Sequence, residues 1–245
     1  MNTSSNGYVM GFAVGVCVVI SAALAMTANI LKPAQDAAAE FDRQKNVMMA
    51  AGLVLADDPR LRPELEALYK QRVDEVVVDT ETGQVAAGKT VADVAAMKDP
   101  ADKLRYRTVA ISKSADGKPE SYVLPISGKG LWSTIYGYLA LEGDLTHVRG
   151  VTFYKHGETP GLGGECENPV WCAQWKGKSI LDEQQKLVGV IVKKGKVDPS
   201  IAIEKVHKVD GLSGATITSN GITTFVKRDL TAFDKYLTGL RKAHN

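Results

Sequence analysis

A threonine hydroxyl placed just ahead of a helix is a candidate for ester chemistry. In "DGLSGATITSNGI", residues 210–222, small residues and hydroxyls crowd together immediately before an apolar-periodic tail. Thr216 stands upstream of that tail, where free amides and the positive end of a helix dipole hold anions. A phosphate on Thr216 would meet the backbone N–H groups of residues 218–221. Gly214 and Ala215 leave room for the phosphate and for an enzyme that installs it. A plainer alternative stands beside this one: Ser213 and Thr216 turn the chain, and hydroxyl side chains cap the helix. Thr218 or Ser219 is then the natural N-cap.

Two further stretches carry chemical potential. "HGETPGLGGE", residues 156–165, holds four glycines that let backbone approach a flat ligand or take positive φ, and Pro160–Gly161 favours a type II turn. It is also readable as an ordinary Gly-rich loop. It is neither a dinucleotide fingerprint nor a P-loop, because its glycines fall at the wrong positions and no Lys-Ser/Thr ending follows. "GKGLWSTIYGYLALEG", residues 128–143, places Trp132, Tyr136 and Tyr138 near glycines. These are either strand aromatics packed in a core or a wall that receives an aromatic ring system. Cys166 and Cys172 are close enough to bridge in an oxidising compartment and are otherwise free thiols. Two cysteines without a His-rich partner segment do not make a zinc site, so no metal is expected. The four histidines are scattered, and no independent catalytic set is assembled.

The elements that must position these residues follow from periodicity. "VDEVVVD", "YRTVAISKS", "ESYVLPIS", "IYGYLALEG", "HVRGVTFYKH" and "LVGVIVKKG" read as strands by β-branched and aromatic content, with a bulge expected at Gly150. "DDPRLRPELEALYKQR" reads as a turn and a short helix. In the tail, Ile222, Phe225, Val226, Leu230, Phe233, Leu237 and Leu240 repeat at three and four residues and define one apolar helical face. Strands framed by helices predict an α+β fold.

Ahead of this lies "YVMGFAVGVCVVISAALAMTANIL", residues 8–31, without a charge and long enough to cross a bilayer as a helix. The N-tail, residues 1–7, lacks the Lys or Arg of a secretory leader, so a retained transmembrane helix is expected. Residues 32–56 then form a helical connector, and residues 57–245 one globular domain. The chain has 245 residues, 44% of them hydrophobic and 24% charged, with a net charge of +2 and no basic run, which excludes a nucleic-acid surface. Lys32, Arg43 and Lys45 flank the span and by themselves place the large domain inside.

"DGLSGAT" matches the Asp-x-x-Ser/Thr-Gly-Ala-Thr pattern of covalent flavin attachment in bacterial FMN-binding domains. With "ETPGLGGE", "GKGLWSTIYGYLAL", "SGATITSNGI" and one N-terminal span, the chain resembles the family of C subunits of the sodium-translocating NADH:quinone reductases. The related Rnf-type G subunits share the attachment motif and ETPGLG, while "GLGGE", "GLWSTIYGYLAL" and "TSNG" look more like the C subunits. The resemblance implies a mainly antiparallel-sheet FMN-binding domain. It makes Thr216 the residue joined to FMN by a phosphodiester. Asp210, Ser213, Gly214 and Ala215 complete the sequence read by a separate flavin transferase, which moves FMN from FAD with loss of AMP. Glu158, Thr159, Leu162, Gly163, Leu131, Trp132 and Ser133 would lie against the isoalloxazine.

The same resemblance implies a single-pass protein of the bacterial inner membrane. Its partners would be other membrane subunits and the transferase. Its soluble domain would be periplasmic, against the charge signal, and a compartment of that kind permits a Cys166–Cys172 disulfide without requiring it. The implied role is electron relay from NADH toward quinone inside a sodium pump, with no catalytic residues of its own. Two other readings are an Rnf-type FMN-carrying subunit and an anchored extracytoplasmic scaffold.

Overall fold

The computed structural model describes residues 5–244 and divides into two compact units, the first ending at Arg43 and the second beginning at Gln44. The first is most of helix α1 (Asn6–Ala50), which runs through Pro33 without a break. Its apolar N-terminal part is exposed throughout and, by length and composition, is able to cross a membrane. The boundary at Gln44 falls ahead of the 56/57 division that composition suggests. Val47, Met48, Ala50, Ala51 and Val54 are buried, so the end of α1 already belongs to the globular core.

In the second unit, α2 (Arg62–Arg72) leads into β1 (Val73–Asp79) and β2 (Gln84–Val85). Short helices α3 (Val91–Ala96) and α4 (Pro100–Arg105) precede β3 (Tyr106–Lys113), β4 (Pro119–Lys129), β5 (Thr134–Glu142) and β6 (Val148–Lys155). These strands form one antiparallel sheet in the order β2-β1-β3-β4-β5-β6. Its register shifts where Ala140 and Leu141 face Gly150 and Val148, which leaves Arg149 bulged beside the expected Gly150. A 3₁₀ turn (Gly163–Glu167) and α5 (Pro169–Ala173) follow, then β7 (Ile191–Val192), α6 (Ala202–His207), β8 (Lys208–Val209) and the long α7 (Thr216–His244).

Alternation sorts the strand residues onto two covered faces. Leu124, Ile126, Ile135, Leu139, Leu141, Val151 and Phe153 share one core with Ile222, Phe225, Val226, Leu230, Phe233 and Leu237 of α7. Each such buried side chain contributes about 1.5–3 kcal/mol. On the other face, the chain after Gln44 lies against β6: Arg149 Nε donates to Ala51 O at 2.6 Å, and a Cβ on Gly150 would stand 2.6 Å from Ala50 O.

One expected strand is largely absent. Of "LVGVIVKKG" only Ile191–Val192 forms a strand, in parallel with β8, and Leu187 makes one isolated antiparallel bridge to Leu181. Its apolar residues serve packing instead, with Val190 and Val192 buried in the α7 core and Val192 N–H bonded to Thr223 Oγ1 at 2.9 Å.

Where β4 outruns its ladder with β3, which ends at Val123, α7 supplies partners. Asp229 Oδ2 accepts from Ser127 N–H at 2.8 Å, and Arg228 donates to Ser127 O. This pins α7 across the end of β4 that leads into residues 128–133.

Candidate functional site

Three segments meet where β4 ends, β6 ends and α7 begins. Their junction is built around one carboxylate. Glu158 is 5% exposed. Its Oε1 accepts from Trp132 N–H at 2.9 Å and Ser133 N–H at 3.1 Å. Its Oε2 accepts from Leu131 N–H at 3.2 Å and Thr218 Oγ1–H at 2.6 Å. Burial pushes this carboxyl up, but the donation from Thr218 and the three amides outweighs it and holds Glu158 below the usual carboxylate range.

The sequence permits such closeness because glycine lines each approach. A Cβ on Gly130 would lie 2.6 Å from Glu158 Oε1, and one on Gly163 would lie 2.8 Å from both Glu158 Oε2 and Thr218 Oγ1. On Gly221 it would stand 2.3 Å from Lys129 O. Ser133 Oγ also accepts from Gly157 N–H at 2.6 Å, a second tie between the two loops.

The hydroxyl cluster before α7 does not cap as expected. α7 begins at Thr216, so Thr218 and Ser219 lie inside its first turn rather than ahead of it. Thr218 turns inward to Glu158, and Ser219 Oγ accepts from Leu212 N–H at 3.2 Å. The amides of Thr216, Ile217 and Thr218 precede the first backbone bond of this turn, from Ser219 N–H to Ala215 O at 2.9 Å. Gly214 makes the entry turn with φ +69°, and its missing side chain leaves space for Leu162, whose Cδ2 would lie 2.8 Å from a Cβ there. The ETPGLG loop therefore touches the SGAT turn directly.

An exposed rim sits over this junction. Trp132 is 68% exposed, Ile217 59% and Leu162 43%. Leu131, Thr159, Ser213, Gly214 and Thr216 are exposed as well, Ser133 is half-buried, and Ala215 and Gly163 are buried beneath. The sheet aromatics split from this group. Tyr138 is buried in a stack on Tyr154, ring centroids 5.3 Å apart, and Tyr136 is exposed with Lys155 Nζ 5.7 Å from its ring centroid.

Asp210 faces inward. Its Oδ1 accepts from Val197 N–H at 2.7 Å, its N–H donates to Gln174 Oε1 at 3.0 Å, and its carbonyl accepts from Trp171 Nε1–H at 2.8 Å. Of the two alternatives for Cys166 and Cys172, the structure has the unbridged one. Both are free thiols, with Cys172 Sγ donating to Cys166 O at 3.3 Å, and burial pushes both up to about 12. At neutral pH neither is a nucleophile. Among the described residues, no cluster of His, Cys, Asp or Glu is suited to a metal ion.

Thr218, Gly130 and Gly221 carry parts of this junction that sequence reasoning missed. Gly221 had a signal: a glycine near the start of a strong helix costs about 1 kcal/mol against alanine and marks close approach. Thr218 had none, since its partner lies sixty residues away.

The FMN-binding domain family matches residues 130–231, from the Gly130 turn into α7. Over almost its whole length the chain is similar to the C subunit of the Na(+)-translocating NADH-quinone reductase of Pseudomonas aeruginosa, at 40% identity over 98% of both chains. The corresponding C subunit of Pasteurella multocida is 36% identical over 83% of this chain and 82% of that one. Two solved structures share the fold. The crystal structure of Shewanella oneidensis NqrC has a TM-score of 0.72 at 30% identity, covering 84% of this chain and 99% of that one. The C subunit from Parabacteroides distasonis has a TM-score of 0.69 at 27% identity, covering 85% and 97%.

Proposed function

The chain belongs to the family of C subunits of the Na(+)-translocating NADH-quinone reductases, and from that premise we propose that Thr216 is the residue that carries its FMN. It is an FMN-carrying electron-transfer subunit of that multi-subunit complex. The relatives are reductase subunits, which disfavours both the Rnf-type and the scaffold readings.

The observation that carries the assignment is the setting of the Thr216 hydroxyl. It is exposed, it begins α7, and three amides of that first turn lie ahead of the helix's first bond. That donor set fits a phosphate group. Ser213, Gly214 and Ala215 keep the approach low. Leu131, Trp132, Ser133, Thr159 and Leu162 offer one mixed apolar and polar wall, with Gly163 buried beneath it.

Thr216 Oγ supplies the nucleophile during maturation. Attack from this oxygen on FAD would form the bond to phosphorus as the pyrophosphate bond breaks, with AMP as the leaving group and the hydroxyl proton released. The flavin transferase that catalyses this exchange reads the exposed turn. Asp210 contributes by holding that turn in shape, since its carboxylate is engaged with Val197 and Gln174. Once bound, FMN supplies one-electron transfer, while the chain tethers it and keeps it at the surface. Lys129 Nζ donates to Trp132 O at 3.4 Å, at the edge of this wall, whereas Lys178 is turned to Lys205 O at 2.7 Å.

We also propose a single span in the inner membrane with residues 44–245 on the periplasmic side, where the transferase works. Protease added to spheroplasts should then digest the globular unit, and protection there would reverse the orientation.

The central test is co-expression with the transferase. The denatured wild type should keep flavin fluorescence on a gel, and its 209–227 peptide should carry the mass of FMN less water. Thr216→Val should lose both. Fluorescence retained by that variant would sink the assignment.

A further inference from the structure

We propose that Glu158 is a positioning residue: its carboxylate locks residues 131–133, the ETPGLG loop and the first turn of α7 into one cradle for the flavin. The inference rests on the reading that Thr216 carries FMN, and it reverses the expectation that Glu158 itself lies against the isoalloxazine. Its side chain is buried, and both oxygens are taken up by protein donors.

The chemistry of the four donors demands a carboxylate. Trp132 and Ser133 amides meet at Oε1, and the Leu131 amide and Thr218 hydroxyl meet at Oε2. A carboxylate is acceptor-only at both ends, whereas a glutamine amide carries donors at one end. Either flip of a Gln would set its NH₂ against protein donors: against the two amides at Oε1, or against the Leu131 amide at Oε2. At least one buried N–H would then lose its acceptor, a loss that is costly in a buried site. Aspartate is one methylene too short to span the gap. The glycines around it fit the same purpose: Gly130 leaves the space that Oε1 occupies, and Gly163 the space that Oε2 and Thr218 Oγ1 occupy.

The same geometry has an electrostatic consequence. A buried, ionised group close to the cofactor wall is a fixed negative charge, and a dry site screens it little. Removing it should make the flavin easier to reduce. Removing only the Thr218 hydroxyl keeps the charge and loosens the cradle.

The test uses the full-length chain with Glu158→Gln and Thr218→Val. Hydrogen exchange on unloaded protein reads the cradle without any flavin. In Glu158→Gln the amides of residues 131–133 should exchange about tenfold faster or more, the scale of one lost buried hydrogen bond. Amides in β4 and β5 should keep their wild-type rates. Thr218→Val should show a smaller rise at the same amides, and it decides the matter if Glu158→Gln fails to fold. In loaded protein, Glu158→Gln should shift the flavin midpoint potential positive and Thr218→Val should leave it nearly in place. Unchanged exchange at residues 131–133 overturns the proposal. So does faster exchange with an unmoved potential, which would make Glu158 a support of the fold alone. Wild-type protein that never acquires flavin would instead refute the Thr216 reading, and the exchange measurement would still stand.

Discussion

The rim of the site and the layer under it are built from neighbouring residues of the same motifs, yet they do opposite work. Thr216, Ile217, Leu162 and Trp132 face solvent. Thr218, Gly163, Gly130 and Glu158, each within a few residues of one of them, are buried. The outer residues have few protein partners and are free to serve a ligand or an enzyme. The inner ones are bound to each other across three segments. A motif read as one site is therefore two, separated by the direction in which each side chain points. The lower layer resists change through packing, while the rim tolerates it.

That contrast can be broken by mutations, from the largest expected effect on stability to the smallest. Gly221→Ala should cost about 3 kcal/mol in chemical denaturation, because its Cβ meets the Lys129 carbonyl and backbone must move. A cost near zero would show that the layer can yield. Thr218→Val should cost about 1–2 kcal/mol, through one buried carboxylate left short of a donor.

A second buried carboxylate outside the site gives a comparison by pH. The Lys193 ammonium, the Asp198 amide and Lys208 hold Glu204 at about 2, below its unfolded value of about 4.3. Its contribution is full above the unfolded value and is lost as pH falls through the folded one. Glu204→Gln should therefore flatten the loss of stability between about pH 4.5 and 2, followed by denaturant midpoints. An unaltered acid profile would count against that ion cluster.

The smallest effect belongs to the rim. Trp132→Ala should change unfolding by less than about 0.5 kcal/mol, as exposed substitutions do, while altering the absorption band of bound flavin. A large loss of stability would place Trp132 with the inner layer.

Much of the scaffold was legible. "VDEVVVD" is β1 residue for residue, and the expected strands from Tyr106 to Lys155 differ from β3–β6 by a residue or two at their ends. Six of the seven apolar residues named for α7 are buried, and Leu240 packs at the edge of the same core. The failures share a cause. "LVGVIVKKG" has the composition of a strand, but Gly189 takes φ +74° and its valines pack under α7 rather than extending the sheet. The cap at Thr218 or Ser219 was displaced because a hydroxyl takes the acceptor that tertiary structure offers, here Glu158, in preference to its own helix.

By itself, then, the sequence determined which segments are extended or helical, which helical face is apolar, and that one stretch is fit for a membrane. Those properties reside in local spacing, which a chain carries before it folds. Only the tertiary structure decided that Glu158 and Asp210 turn inward, that Thr218 supports rather than caps, that Cys166 and Cys172 stay unbridged, and that Thr216 stays exposed. Hydrogen-bond partnership and exposure depend on which distant groups arrive at the same point, and for Glu158 those groups came from two segments, residues 131–133 and the start of α7, that no local pattern connects to it.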